Sequence, residues 1–334
     1  MMSRISPSTE ASPIRGWRDP LLMAGLLALV VAGLAGLAAA TGWDETRAQL
    51  LRLGPWQLAA LLGLSLVNYL MRGLRWHVFA RRVGLPPGFL RDMRHYLGGF
   101  LMSVTPGRVG ELVRVRWIRR ETGMTLERTA PLFLMDRAAD LVAMALILGA
   151  ALALSTSGIA GAVPLAALAL GTAVVATHSR LLSAVITRTY RVLGRWPRLF
   201  GRLRGMARTL AHFSHSGVLA AAVALGLIGW LAEGYAFYLL LVWLGADTPA
   251  ATAMAIFVFA TLAGGLTGAP GGLGGAEAAM VALLTLEGLP LETSIAATAV
   301  IRVTTLWFAV GIGAAVFPVA ERLSKRKRHA VENR

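Results

Sequence analysis

Residues 250–286 read AATAMAIFVFATLAGGLTGAPGGLGGAEAAMVALLTL, an apolar stretch whose one charged residue is Glu277. A helix needs about 20 predominantly apolar residues to cross the hydrocarbon core of a bilayer, and this stretch is long enough. The cluster Ala269-Pro270-Gly271-Gly272 interrupts it near the middle. Proline removes a helical hydrogen bond and glycine loosens the backbone. The pattern therefore predicts two half-helices that meet at a turn within a membrane.

A second apolar stretch, Tyr96–Val113, is broken in the same way at Thr105-Pro106-Gly107. The sequences that follow the two breaks also correspond, since PGRVGE at 106–111 matches PGGLGGAE at 270–277. We predict that both stretches are Pro-Gly re-entrant hairpins.

Each hairpin is followed by an apolar run that contains an arginine. Arg137 lies 26 residues after Glu111, and Arg302 lies 25 residues after Glu277. Two halves of the chain, about residues 56–154 and 218–317, thus share the order span, hairpin, glutamate, and span with arginine. This similarity predicts an internal repeat.

The rest of the chain supplies continuous apolar runs that could span a membrane. With 56% hydrophobic and 15% charged residues, the composition excludes an ordinary soluble domain, in which about 25% of residues are charged. The first run is longer than the apolar core of a signal peptide, so we expect it to be retained. The sequence predicts an all-α integral membrane protein with two hairpins and about six transmembrane helices, at Leu21–Thr41, Trp56–Met71, Pro131–Leu154, Gly158–Thr177, Val218–Leu244 and Ser294–Phe317.

The net charge of +16 lies mainly in short segments between the apolar runs. A nucleic-acid-binding protein would spread such charge over a hydrophilic face, so we expect no nucleic-acid partner. Lys and Arg accumulate in cytoplasmic loops, so these segments indicate topology instead. The basic segments contain Arg72, Arg75, Arg81, Arg82, Arg91 and Arg94, then Arg114, Arg116, Arg119, Arg120 and Arg128, then eight arginines between 180 and 208, and finally residues 322–328.

All basic segments fall on one side if both termini are cytoplasmic and each hairpin returns to the side that it entered. We therefore predict a cytoplasmic tail at residues 1–20, one membrane domain at 21–320 and a basic cytoplasmic tail at 321–334. The first hairpin would then enter from the cytoplasm and the second from outside. Such an inverted-topology repeat is the arrangement that many transporters use around a midplane site.

The hairpin turns suggest what such a site would bind. A turn at the midplane exposes the N-terminus of its second half-helix, whose free N–H groups and positive dipole end suit an anion such as phosphate. Glycines allow the backbone to approach closely. The hairpin backbone residues in question are Pro106, Gly107, Gly110, Pro270, Gly271, Gly272 and Gly274.

Charged side chains complete the predicted substrate-binding site, which consists of Arg108, Glu111, Arg137, Glu277 and Arg302. The arginines could bind a phosphate through two hydrogen bonds each. The glutamates would hold the arginines in place or receive a cationic headgroup. Alternatively, Glu111 with Arg137 and Glu277 with Arg302 are structural ion pairs that lock each hairpin to its span, and both interpretations can hold together.

Other chemistry has little support in the sequence. The chain has no cysteine and no P-loop lysine, HExxH or nucleophile-elbow pattern, so we expect no cofactor, no metal and no catalytic residue. Asp136 and Asp140 are four residues apart, which is compatible with a divalent metal. Charge compensation with Arg137 is the favoured interpretation of this pair.

The connection at about residues 178–215 contains eight arginines, no acidic residue and many interleaved apolar residues. The pattern predicts an amphipathic surface helix, broken at Pro197, that lies on anionic lipid.

Three motifs, NYLMRGLRW at 68–76, PGRVGELVR at 106–114 and PGGLG at 270–274, together with Glu277 and Arg302, resemble the lysylphosphatidylglycerol synthase transmembrane family. This family is also described as the flippase-like domain family. The sequence departs from the family pattern at Ser103-Val104-Thr105 and at Gly275.

The resemblance implies a bacterial inner-membrane protein related to the lipid-flipping half of aminoacyl-phosphatidylglycerol synthases and to stand-alone relatives linked to hopanoid or polyprenyl-linked lipids. The chain is expected to lack the soluble aminoacyl-transfer domain and therefore not to be an enzyme.

Our leading hypothesis is a lipid flippase-like protein that translocates or binds a phospholipid or a polyprenyl- or hopanoid-type lipid, with membrane lipids, anionic ones above all, as its partners. One alternative is a membrane-embedded transferase acting on a lipid-linked substrate, with Asp136 and Asp140 as metal ligands. Another is an accessory subunit of a lipid-modifying synthase. A homo-oligomer is also compatible with the sequence.

Overall fold

A computed structural model describes residues 48, 51, 53–105, 110–154, 162–195, 197–213 and 215–332. All regular secondary structure in these ranges is helical. The predicted first span, Leu21–Thr41, lies outside the described residues.

The long helices are α1 (Pro55–Arg82), α4 (Leu126–Leu154) and α8 (Ser216–Trp243). A further long helix consists of α11 (Leu291–Arg302) and α12 (Phe308–Glu332), joined through a π-helical turn at Val303–Trp307. The shorter helices are α2 (Phe89–Gly99), α3 (Val113–Thr122), α5 (Ala162–Thr177), α6 (Ser179–Leu193), α7 (Pro197–Thr209), α9 (Ala250–Leu266) and α10 (Gly275–Leu286).

Four helices in the described ranges are long and apolar enough to cross a membrane, namely α1, α4, α8 and the segment Leu291–Arg326. A fifth span is possible if α5 and α6 are counted together, but these two helices bend by 92° where they meet. The prediction of an all-α multi-pass membrane protein is thus confirmed.

The second predicted hairpin is broken at its Pro-Gly cluster, whereas Pro106 and Gly107 of the first lie outside the described residues. In the second, a 3-10 turn at Pro270–Gly272 separates α9 from α10, and the two helices pack against each other. In the first, a 3-10 turn at Phe100–Val104 follows α2, and α3 begins at Val113. The half-helices of the first hairpin reach beyond the predicted stretch, because α2 begins at Phe89 and α3 ends at Thr122.

The two hairpins meet inside the bundle. The turn Phe100–Val104 contacts the turn Pro270–Gly272. Around this contact, α1 packs on α8, α8 packs on α4 and α9, and α12 packs on α2 and α3. The arrangement places both breaks beside the charged residues of α4 and α11, although it does not test the re-entrant topology or the inverted repeat, which stay predictions.

Close packing between α12 and the first hairpin leads to a testable expectation. A Cβ added to Gly313 would lie within 3.0 Å of backbone atoms of Phe100 and Leu101, whereas one added to Gly311 would have nothing within 4 Å. Gly313→Ala should therefore lower the free energy of unfolding by about 1–3 kcal/mol through overpacking. Gly311→Ala should raise it by up to about 1 kcal/mol, because alanine is the better helix former.

Denaturant unfolding in detergent micelles measures both changes. Equal stabilities for the two variants would mean that α12 does not pack on the hairpin as closely as described.

Candidate functional site

A cluster of charged side chains lies between α1, α3 and α4. We call it the ionic centre. It consists of four arginines and three carboxylates, Arg72, Arg75, Glu111, Arg114, Asp136, Arg137 and Asp140.

Helical spacing brings these charges together. Arg72 and Arg75 are three residues apart on α1, and Asp136 and Asp140 are four apart on α4, so each pair shares one helix face. Arg75 is fully buried, and its Nη2 lies 2.6 Å from Asp136 Oδ1 and 2.7 Å from Asp140 Oδ1. Arg72 Nη2 lies 2.6 Å from Asp140 Oδ2. Charges this deep in a membrane protein need such partners.

Arg137 and Glu111 connect the first hairpin to this cluster. Arg137 Nη2 lies 2.9 Å from Asp136 Oδ2, 3.2 Å from Asp140 Oδ2 and 3.7 Å from Glu111 Oε2. The predicted charge compensation of the two aspartates by Arg137 is therefore confirmed. Glu111 lies closer to another arginine, because its Oε2 is 2.9 Å from Arg114 Nη2. The predicted Glu111–Arg137 ion pair is thus present, and Glu111 also forms a closer ion pair with Arg114 that was not predicted.

The second half contains the simpler predicted pair. Arg302 Nε donates to Glu277 Oε1 at 2.6 Å, and Arg302 Nη2 donates to the Gly271 carbonyl at 3.0 Å. The predicted Glu277–Arg302 ion pair is confirmed, and it ties α10 and the second turn to α11. Gly271 and Gly272 have φ values of +63° and +71°, a left-handed conformation that glycine adopts without strain.

The structure brings Arg137 and Arg302 to one cavity of about 300 Å³. Its polar end also includes Asp140, Trp230 and the Gly271–Gly272 backbone. Trp230 Nε1 donates to Asp140 Oδ1 at 3.2 Å, which fixes the indole at the cavity wall. Apart from Thr172 and Thr261, the remaining lining side chains are apolar and include Leu141 and Met144 of α4, Leu165, Leu168 and Ala169 of α5, and Leu262 and Leu266 of α9.

This cavity reaches the outer surface of the bundle between α5 and α9. Leu168 is 52% exposed and Leu266 is 63% exposed, yet both line the cavity. A smaller cavity of about 50 Å³ adjoins the large one and shares Trp230, Thr261 and Arg302 with it. It is lined further by Arg72, Ser103, Glu111 and Glu233. Polar side chains therefore continue from the large cavity to the first hairpin and α1.

The structure describes some of the predicted site residues but not all of them. Pro106, Gly107 and Arg108 lie outside the described residues. Gly110 is described, and its N–H donates to Thr105 Oγ1 at 2.8 Å. Pro270 is in the second turn, and Gly274 precedes α10 with φ of +80°. Neither of these two lines the large cavity, and Glu277 reaches the site through Arg302.

Arg72, Arg75 and Arg114 were counted among the basic segments that indicate topology, and their place in the ionic centre was not predicted. All three are buried in the ionic centre, and α1 continues through Arg72 and Arg75 to Arg82 instead of ending near Met71. The i, i+3 spacing of the two arginines on α1, beside the i, i+4 spacing of two aspartates in a later span, was the signal for this contact.

Arginine charges occupy the surroundings of Asp136 and Asp140. Three guanidinium groups lie within 3.2 Å of oxygens of this pair, so the positions that a divalent cation would take are filled. Within the described ranges, no group of three or more His, Cys, Asp or Glu residues is arranged to hold a metal ion.

Helices that span a membrane around a buried ionic centre and a laterally open cavity define a multi-pass integral membrane protein. The chain belongs to the family described as the lysylphosphatidylglycerol synthase TM region, whose sequence profile matches residues 22–313.

The chain is also similar to proteins described as UPF0104 membrane protein from Methanothermobacter thermautotrophicus. One match is 30% identical over 122 residues and covers 36% of each chain. Another is 24% identical over 319 residues and covers 88% of this chain and 94% of the relative. The first match therefore spans about a third of that relative's length.

Proposed function

We propose that this protein binds a lipid with an anionic headgroup in the large cavity and translocates it between leaflets. The observation that carries the proposal is the presence of Arg137 and Arg302, one from each half of the chain, in the lining of a single cavity whose other lining residues are mainly apolar. The charged lining residues are two arginines and Asp140, an excess of one positive charge.

The polar end is suited to a phosphate group. Guanidinium groups bind phosphate oxygens with paired hydrogen bonds. Gly272 and Ala276 of the second hairpin also line the cavity, so the beginning of α10 lies beside it. The first N–H groups of a helix have no intrahelical partner and suit an anion. A headgroup phosphate would lie between the two arginines and this helix end.

The apolar end is suited to hydrocarbon. The opening between α5 and α9 would let acyl or isoprenoid chains remain in the bilayer while the headgroup occupies the cavity. The smaller cavity, which shares Arg302 with the large one, would continue the polar path toward the first hairpin. We place the protein in the cell inner membrane with both termini cytoplasmic, as a translocase rather than an enzyme.

The membrane-embedded transferase is less favoured, because Asp136 and Asp140 are held by arginines and thus poorly placed as metal ligands. Addition of a divalent-metal chelator separates the two functions, since the translocase should be unaffected. An accessory subunit without transport activity would leave lipid exchange at the level of protein-free vesicles.

A cavity-filling substitution tests the translocase. Gly265 lines the cavity, and a Cβ added there would have nothing within 4 Å. Gly265→Trp should therefore fold, occupy the cavity and lower the rate of leaflet exchange about tenfold or more, a barrier of at least about 1.4 kcal/mol. Gly149→Trp is the matched control, because a Cβ at Gly149 also meets nothing within 4 Å, on a part of α4 that does not line the cavity.

The measurement is the exchange of fluorescent anionic and aminoacylated phospholipids in proteoliposomes at equal protein content. Fast exchange in the wild type and in Gly149→Trp, with slow exchange in Gly265→Trp, is the expected result. No exchange above protein-free vesicles for any lipid would overturn the proposal.

A further inference from the structure

The helices α6 and α7 pack against each other as a hairpin, and α6 turns away from the direction of α5. The spanning helix α4 packs along α5, and α6 bends from α5 by 92° at His178. A helix perpendicular to a spanning helix lies along the membrane surface. We call this pair the surface hairpin.

The surface hairpin is a fixed part of the fold. Leu182, Ile186 and Tyr190 of α6 pack against Phe200, Leu203 and Ala207 of α7. In turn, α7 packs on α4, where Gly205 approaches Glu127 at the beginning of that helix. The hairpin thus has its own apolar interior and is docked at one end of α4.

A second apolar face of α6 has no partner among the described residues. Leu181, Val185 and Val192 are 42%, 49% and 82% exposed. At about 100° per residue, these positions fall within about 40° of one another around the helix. They lie on a different side from Ile186, which points into the hairpin interior. A water-exposed stripe of this kind is unfavourable unless another apolar phase covers it.

The charge of the surface hairpin indicates that an anionic membrane surface covers the stripe. Residues 178–215 contain eight arginines and no aspartate or glutamate. Those of α6 and the following turn, Arg180, Arg188, Arg191 and Arg195, are exposed. Arginines that flank an exposed apolar stripe match an anionic membrane surface, where the guanidinium groups meet phosphates and the apolar side chains enter the interface.

We propose that the surface hairpin is a binding surface for anionic lipid, with Leu181, Val185 and Val192 inserted in the interface of the leaflet next to α5. Because α5 lines the large cavity, the surface hairpin binds anionic lipid next to that cavity. The surface acts through its own residues and does not depend on whether the cavity translocates lipid.

Single-cysteine labelling tests this proposal directly, because the chain contains no cysteine. Val192→Cys carries an environment-sensitive fluorophore in the exposed stripe. Thr187→Cys is the matched control on the same helix, about 140° away from position 192. The full-length protein is reconstituted into phosphatidylcholine vesicles, with and without phosphatidylglycerol as about a third of the lipid.

The expected result is that phosphatidylglycerol makes the label at position 192 about tenfold less accessible to an aqueous quencher than the label at 187. High salt should weaken this protection, since it screens exposed charges. Substitution of Arg180, Arg188, Arg191 and Arg195 by glutamine should abolish the dependence on phosphatidylglycerol.

Two results would overturn the proposal. Equal quenching at 187 and 192 in all vesicles would mean that the stripe faces water. Protection of position 192 that depends on protein density but not on phosphatidylglycerol would assign the stripe to contact with a second copy of the chain.

Discussion

Replacement of Arg75 by methionine is expected to lower the free energy of unfolding by about 3–5 kcal/mol, the loss that follows when one member of a buried ion pair is removed. Arg75 is fully buried and supplies two hydrogen bonds to Asp136 Oδ1, at 3.1 Å from Nε and 2.6 Å from Nη2. It also donates to Asp140 Oδ1 at 2.7 Å. Methionine fills much of the space but donates no hydrogen bond, so a buried carboxylate oxygen would lose its donors.

Arg322→Met is the matched control. Arg322 is an exposed arginine on α12, and its loss should change stability by no more than about 0.5 kcal/mol. Denaturant unfolding in detergent micelles measures both variants. A similar small loss for Arg75→Met would mean that water reaches the ionic centre and solvates the aspartates.

A double variant tests whether the loss of stability in Arg75→Met comes from the uncompensated charge. Adding Asp136→Asn to Arg75→Met removes the carboxylate that Arg75 had paired with, so the two losses should be less than additive by about 1 kcal/mol or more. Additive losses would assign the effect of Arg75→Met to packing alone.

The ionic centre also shows which features could be predicted from the sequence and which could not. The broken stretches were predictable, because Pro270 and its neighbouring glycines act locally on the backbone. The Glu277–Arg302 pair was predictable as well, since two charges in otherwise apolar runs have few partners available. Both predictions rest on features that a short segment of sequence contains.

The end of α1 was not predictable from local composition. A window of hydropathy counts Arg72 and Arg75 as charges that must leave the membrane, so the predicted span ended at Met71. Their partners, Asp136 and Asp140, lie 61 to 68 residues further along the chain. Only the packing of α4 beside α1 reveals that these charges neutralise one another inside the bundle.

The cavity was not predictable for a related reason. Arg137 and Arg302 were predicted site residues, but the apolar lining comes from α4, α5 and α9, and the residues that form it follow no distinctive pattern. The 3-10 turns that bring the two hairpins into contact depend on tertiary packing, and so does the orientation of Trp230.

The combined substitution of Glu277 and Arg302 by glutamine is expected to leave the protein folded while lowering leaflet exchange about tenfold or more. Replacing both members of a buried ion pair leaves no uncompensated charge, so the change in stability should be small. The cavity loses one of its two guanidinium groups, and a hydrogen bond to a charged group contributes about 1.5–3 kcal/mol. This amount corresponds to about a tenfold to hundredfold change in an equilibrium constant.

The two single variants separate the effect on stability from the effect on leaflet exchange. Arg302→Gln should destabilise the protein, because Glu277 would keep its charge in a buried position without the donor at 2.6 Å. Glu277→Gln should keep exchange near the wild-type rate, because Arg302 still faces the cavity and still donates to the Gly271 carbonyl. Unfolding in micelles and exchange in proteoliposomes, measured on the same preparations, give the two readouts.

Arg302 allows stability and exchange to be separated, because the ion pair that it forms in the described part of the chain is with Glu277. Arg137 does not, because Glu111, Asp136 and Asp140 all lie within 3.7 Å of its Nη2. No single neutralisation compensates for its loss. If the double glutamine variant exchanges lipid at the wild-type rate, Arg302 is a structural partner of Glu277, and the anion must be held by Arg137 and the backbone of the second hairpin. If exchange is lost while stability is retained, the cavity requires a guanidinium group from each half of the chain, which is the outcome that the predicted internal repeat implies.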